Sequence, residues 1–325
     1  MVPARRRSFL VVAGVVLAAP FVAYGQQATR MRRIGVLGGA PGLRWNDFEA
    51  TLRENGWREG DNVQVVWRWS SGMPERIPEL AADLVHLKLD VIVTEGTIET
   101  TAVKNATTEI PIVMATTADP VGTRLVASLA RPGGNVTGSA TTAPQLLPKQ
   151  IELLNESVNG LRRIAVLRNP MNPGHRLAYS QIESGTEPLK IKVEAVDAHD
   201  AATLARAYSA IRAVKPEALL VLADVVFDAR QPEIAEFART SRLPAIYNKV
   251  AFAEAGGLMS YGARYDEFFR QAARYVDRIL RGAKPSELPV VLPTQFEFVV
   301  NVRTAKELAI RIPQSVLLRA DRLVE

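Results

Sequence analysis

Three carboxylates, Glu95, Asp119 and Asp224, each stand just beyond an apolar run, and hydroxyls or glycines accompany them: Thr94-Glu-Gly-Thr97, Thr116-Thr-Ala-Asp119, and Asp224 after Leu219-Leu-Val-Leu-Ala. Carboxylates that converge can exchange protons as general acid and base, or can receive an amine or several hydroxyls of a bound molecule. A bound carboxylate would instead require backbone N–H groups or Arg44. A structural role accompanies each of these residues. Asp119 before Pro120 is also the pattern of a helix cap with proline at the first helical position, and Glu95 is also readable as a solvated loop acid. Asn169 and Asn172, Tyr247 and Asn248, and Tyr261 occupy similar places further on. The tyrosines suit stacking on a flat ligand, or a half-buried place in the core. The asparagines of Asn169-Pro-Met-Asn-Pro173 also brace their own loop.

Other chemistries find little to stand on. His86, His175 and His199 are read as lying in a helix and two loops, without metal-ligand spacing. Ser128 and Ser260 lie in no nucleophile-elbow context. Gly38-Gly-Ala-Pro-Gly42 lacks the dinucleotide spacing, and no phosphate-binding GKS or GKT follows it. The chain has no cysteine, so disulfides and thiolate catalysis are excluded. No cofactor is expected.

The elements that must position these residues repeat. Arg32-Arg-Ile-Gly-Val-Leu37 returns as Arg162-Arg-Ile-Ala-Val-Leu167, Asp90–Gly96 as Ala218–Asp224, and Ile110–Met114 as Leu243–Tyr247, at offsets near 130. Between the strands, Ile77, Leu80, Ala81 and Leu84, and later Leu204, Ala207, Ile211 and Val214, recur at helical spacing. Short apolar strands alternating with amphipathic helices predict parallel sheets covered on both faces. The fold class is therefore α/β, with two similar Rossmann-like lobes. Arg131–Gln145 and Gly256–Gly262 suit crossovers between them. Phe268, Ala272, Tyr275, Val276 and Ile279 predict a helix ended by Gly282 and Pro285, followed by a strand in Val290–Asn301 and a last helix near Thr304–Ala309. Several crossings between two lobes make a hinge with a cleft. In open α/β sheets ligands sit beyond the carboxyl ends of the strands, which is where the polar residues fall. All four tryptophans, Trp45, Trp57, Trp67 and Trp69, belong to the first lobe.

The N-terminus has Arg5-Arg-Arg7, an apolar run from Phe9 to Ala19 and small residues Ala23 and Gly25 around Tyr24, the layout of an export signal cleaved near Gly25. The run is short for a membrane span and is interrupted by Pro20. Arg6-Arg-Ser-Phe-Leu10 also has twin-arginine character. The formal charge of +6 includes those three arginines and no leader acid, so 6 − 3 leaves +3 after cleavage. The remaining basic residues are interspersed with acids, and no nucleic-acid partner is expected.

The segments IPIVMATTADPVGTRLVASLARPGGNVTG, GGLMSYG, YVDRILRGAKPSELPV and PTQFEFVVNVRTAKELAIRIPQSVLLRADRLVE resemble the ABC-transporter substrate-binding proteins whose better-known members bind tryptophan and other aromatic amino acids. The likeness runs from Arg32 to Glu325. It departs at Gly96-Thr97-Ile98, where the family more often has Gly-Thr-Pro, and in a first loop shortened around Gly42–Trp45. The resemblance implies a type I periplasmic-binding-protein fold and capture of a small polar or aromatic metabolite between lobes. It also implies delivery to an ABC permease in the inner membrane with its separate ATPase, by a soluble, monomeric, periplasmic chain that is not an enzyme. The expected organisation is a leader over 1–25, a first lobe of 32–144 plus 263–284, and a second of 145–262 plus 285–325. Ligand contacts are expected from Gly39, Thr97, Thr117, Asp119, Asn169, Asp224, Tyr247 and Tyr261. Competing readings are a receptor subunit that presents its closed form to a membrane sensor, and a hydrolytic or lyase enzyme using the cleft carboxylates. A transcription regulator with such lobes would carry a helix-turn-helix headpiece where this chain has its leader.

Overall fold

The computed structural model describes residues 30–141 and 146–325. The export leader and the stretch 142–145 at the first crossover lie outside the described residues. The first half runs β1 (Arg32–Gly38), α1 (Leu43–Glu54), β2 (Val63–Trp69), α2 (Ile77–His86), β3 (Val91–Glu95), α3 (Thr97–Ala106), β4 (Ile112–Thr117) and β5 (Val136–Ala140). Its strands form one parallel sheet in the order β2-β1-β3-β4-β5. Every residue of β3, β4 and β5 is buried, the pattern of strands covered on both faces rather than alternating inside and outside. Gly138 lets β5 approach β4: its φ is +133°, and a Cβ there would lie 2.2 Å from the Met114 carbonyl oxygen.

The second half repeats the plan with α4 (Leu146–Ser157), β6 (Arg163–Arg168), α5 (Pro173–Thr186), β7 (Lys192–Asp197), α6 (Ala201–Val214), β8 (Ala218–Val221), α7 (Val225–Asp228), α8 (Gln231–Thr240), β9 (Ala245–Tyr247), α9 (Val250–Glu254) and β10 (Met259–Ala263). The order β7-β6-β8-β9-β10 mirrors the first sheet. It is extended by β11 (Phe296–Asn301), antiparallel to β10, and by β12 (Arg322–Val324). His175 lies in α5, not in the loop expected from Pro173, because proline is at home in a first helical turn and Asn172 caps that turn by accepting from Gly174 N at 3.0 Å.

Between β10 and β11 the chain crosses back as α10 (Tyr265–Leu280). Its buried face, Phe268, Phe269, Ala272, Ala273, Tyr275, Val276, Ile279 and Leu280, follows the three- and four-residue spacing of a helix stripe. That face packs with Ile34 and Val36 of β1 and with Trp45 and Phe48 of α1. Fully burying one large apolar side chain contributes about 1.5–3 kcal/mol, so this stripe holds the crossing helix firmly on the first lobe. The chain then returns beside β5, with Val291 N donating to Gly138 O and Ala140 N to Val291 O, both at 2.9 Å. The tail continues as α11 (Val302–Glu307) and α12 (Gln314–Leu317). α11 starts two residues earlier than its sequence pattern indicates because the Asn301 side chain caps Thr304 N at 2.9 Å.

Candidate functional site

The carboxyl ends of the two sheets face each other and touch. A Cβ built on Gly39, after β1, would lie 3.2 Å from Val225 Cβ; one on Gly174 would lie 3.1 Å from Ala118 Cβ. Between them is a cavity of about 40 Å³, lined from the first lobe by Glu95, Gly96, Thr97, Glu99, Thr116 and Thr117, and from the second by Asn172, Asp224, Asp228 and Lys249, with Tyr265 at the crossing. That space holds about one water, whereas a metabolite needs roughly 300 Å³ or more. The cleft is shut, and a metabolite must enter by parting the lobes.

Asp224 caps α7 and accepts from Val226 N at 3.0 Å, Asn172 Nδ2 at 2.9 Å and Asn169 Nδ2 at 3.2 Å. Behind it His175 Nδ1 accepts from Asn169 N, and its Nε2 faces Ala223 O, both at 2.8 Å. The ring is therefore the neutral tautomer with hydrogen on Nε2. Burial holds His175 below its ordinary pKa, against the pull of Asp224. Lys249, at the head of α9, pairs with Asp228 and stands 4.2 Å above the Tyr265 ring. Burial pushes its ammonium pKa down, and Asp228 opposes the shift.

On the other wall, Glu95 Oε1 lies 3.1 Å from Arg44 Nε, without the alignment of a hydrogen bond, while Glu95 Oε2 has no partner. Glu99, in the first turn of α3, is 1% exposed, and neither of its carboxyl oxygens has a hydrogen-bond partner. Burial pushes this carboxyl well above the usual range; its own backbone N–H counteracts this in part, and Asp224 and Glu95 add to it. Gly96 makes the placement possible. Its φ of +112° suits glycine, and any Cβ there would sit 2.3 Å from Glu99 Oε2. Thr97 Oγ1 accepts from Ala118 N at 3.1 Å, which leaves its O–H free to donate into the cleft.

Of the residues singled out in the sequence, Glu95, Gly96, Thr97, Thr116, Thr117, Asn172 and Asp224 line the cavity and Gly39 meets the opposite lobe beside it. Asn169 is fully buried one layer behind, holding Asp224. Asp119 is outside the cavity: its φ is +35°, and its Oδ1 braces the next turn by accepting from Gly122 N at 2.9 Å. Tyr247 is fully buried and stacked on Phe252 at 4.5 Å, and Tyr261 is stacked on Phe296 at 5.7 Å. Neither lines the cavity. Four lining residues escaped sequence reasoning: Glu99, Asp228, Lys249 and Tyr265. Glu99 had a signal, a glutamate three residues after a glycine at a strand-to-helix turn, where N-terminal acids fold back over the helix start. Among the described residues no group of three or more acids or histidines is placed to hold a metal ion.

Two parallel-sheet lobes joined by several crossings and closed on a polar cleft define a ligand-capturing protein of the type I periplasmic-binding fold. A profile of the family described as ABC transporter substrate binding protein matches residues 43–324, and the chain belongs to that family. It is the solute-binding component of an ABC transporter, with a small-molecule ligand and a membrane transporter as partners. A tyrosine-binding protein of Clostridioides difficile (strain R20291) is 24% identical over 261 residues, 80% of this chain and 75% of that protein. A conserved domain protein of Vibrio cholerae has a similar structure, with a TM-score of 0.84, 27% identity and coverage of 90% of this chain and all of that one. A Streptococcus pneumoniae ABC domain in complex with L-Trp gives a TM-score of 0.82 at 24% identity, with the same coverage. The family is extracytoplasmic, and among the described residues no helix is long and apolar enough to cross a membrane.

Proposed function

We propose that the protein captures an α-amino acid, aromatic ones first among the candidates, and delivers it unchanged to its permease as a monomer in the periplasm after loss of the leader near Gly25. The observation that carries this reading is the set of buried acceptors without partners in the cleft: both Glu99 oxygens, Glu95 Oε2 and Asp228 Oδ1. An ammonium group brings three N–H donors and a positive charge to such a set. Glu99 receives the ammonium, while Lys249 and the Thr97 hydroxyl receive the carboxylate. The tyrosine-binding and L-Trp-bound relatives support the ligand class. Thr117 and Asp224 shape the site, Asn169 holds Asp224 in place, and Asp119, Tyr247 and Tyr261 act outside it.

Capture works by population shift. Only contacts made by both lobes at once favour the closed form, and ligand touching Glu99 on one lobe and Lys249 on the other supplies them. A thermal-shift screen against the twenty amino acids, their N-acetyl forms, purines and sugars tests this. A free amino acid at 100 times its dissociation constant stabilises by about 2.7 kcal/mol; its N-acetyl form, lacking the cation, does not, and the ligand is recovered intact. Stabilisation by sugars alone, or equally by N-acetyl forms, refutes the reading.

A further inference from the structure

Glu99 differs from the other acids in the cleft in having no partner from another residue. Glu95 has Arg44 at 3.1 Å, Asp228 has Lys249, and Asp224 has three N–H donors. Among the described residues, no cation of the remaining neighbours is free to pair with it. Tyr265 Oη accepts from Asn248 Nδ2 at 3.0 Å, and His175 is neutral and turned to Ala223 O. Across the cleft four carboxylates face two cations; of the two acids without a cation, Asp224 is held by its N–H donors, and Glu99 is left buried with both oxygens orphaned. A buried carboxyl in that position takes up a proton rather than remain an unpaired charge.

We infer that ligand capture releases this proton: the ligand's ammonium group takes the proton's place at Glu99. The inference rests on the amino-acid reading above. The exchange balances as Glu99–COOH plus R–NH₃⁺ giving the Glu99–COO⁻ and R–NH₃⁺ pair plus one H⁺, which passes to solvent. No bond of the ligand changes. The raised pKa of Glu99 in the closed protein has burial as its main cause, and a buried ammonium partner reverses it. The sign follows. Between the pKa of Glu99 in the complex and its higher pKa in the unliganded protein, binding must expel a proton, so affinity rises with pH by up to tenfold per unit. Outside that window the affinity is flat. The coupling also selects ligands, because a molecule with an anionic group and no cation cannot replace the proton.

The test is calorimetric titration of the purified protein with L-tyrosine, L-tryptophan and the best amino acid of the screen. Titrations run between pH 5 and 7, each in two buffers of different ionisation enthalpy. The expected result is up to one proton released per ligand, with a dissociation constant that falls as pH rises wherever release is measured. In Glu99→Gln, which keeps the shape and cannot ionise, release disappears and the weakened affinity no longer depends on pH. Binding with the same apparent enthalpy in both buffers overturns the inference and leaves the amino-acid reading intact. Release of equal size in Glu99→Gln overturns the assignment to this residue. Absence of binding by every amino acid overturns the ligand reading and the inference together. The wild-type proton count decides the matter even where the variant folds poorly.

Discussion

Closure depends on a place where one lobe has no side chain. Gly39 faces Val225, and a Cβ at position 39 would lie 3.2 Å from Val225 Cβ and 3.4 Å from its Cγ1, inside the 3.5–4.0 Å at which carbon atoms attract. Gly39→Val places that Cβ and two further methyl groups against the opposite lobe. Overpacking of this kind costs about 1–3 kcal/mol, and here the whole cost falls on the closed form, because parting the lobes removes the contact. Since ligand is held only by the closed form, affinity weakens by roughly five- to 150-fold, while the melting temperature without ligand changes little. The assay is calorimetric titration with the amino acid that gives the largest thermal shift, for the wild type, Gly39→Val, Val225→Ala and the double variant. The double variant recovers part of the affinity, since Val225→Ala removes the Cγ1 contact at 3.4 Å while the Cβ contact stays, and the cycle isolates that coupling. Unchanged affinity in Gly39→Val would falsify the argument; so would strict additivity, or a loss of ligand-free stability as large as the loss of binding.

Asp224→Ala leaves three buried donors, Asn169 Nδ2, Asn172 Nδ2 and Val226 N, without their acceptor; stability falls by about 2–4 kcal/mol, and a denaturation midpoint equivalent to wild type within about 0.5 kcal/mol refutes it. His175 is held below the 6.5 of an unperturbed imidazole, chiefly by burial. Between that value and its lower folded pKa the unfolded chain binds the extra proton, so stability is lost as pH falls through this window, by up to about 1.4 kcal/mol per unit. Urea unfolding at pH 7, 6 and 5 measures the slope, which becomes shallower in His175→Gln; an unchanged slope in that variant shows that another group is responsible.

The two-sheet plan was legible because it rests on local patterns repeated twice. Arg32–Leu37 and Arg162–Leu167 open the halves with the same alternation of strand and helix, and buried parallel strands announce themselves as continuous apolar runs. The strand-end rule likewise led to Thr97, Thr117 and Asp224. It failed where two residues two positions apart diverge in direction. Tyr247 and Lys249 flank the end of β9, yet Tyr247 turns into the core against Phe252 while Lys249 turns toward Asp228 and Tyr265. Nothing in a single chain indicates which of two neighbouring side chains faces the partner lobe, because that direction is set by how the lobes meet.

The repeat also explains why Glu99 is among the residues that sequence reasoning missed. In the second half the helix after the third strand, α7, begins with Asp224, whose carboxylate caps its own helix and is satisfied there. The corresponding start in the first half, α3, has Gly96 instead, with no side-chain cap. The acid that covers this helix start comes from three residues further on, folds back over a glycine that leaves it room, and lacks the amide partners that Asp224 enjoys. Two carboxylates thus reach the cleft from equivalent helix starts of the repeat, one spent on structure and one unspent. The difference between a satisfied cap and an orphaned acid gives the closed lobes a reason to require a cation between them.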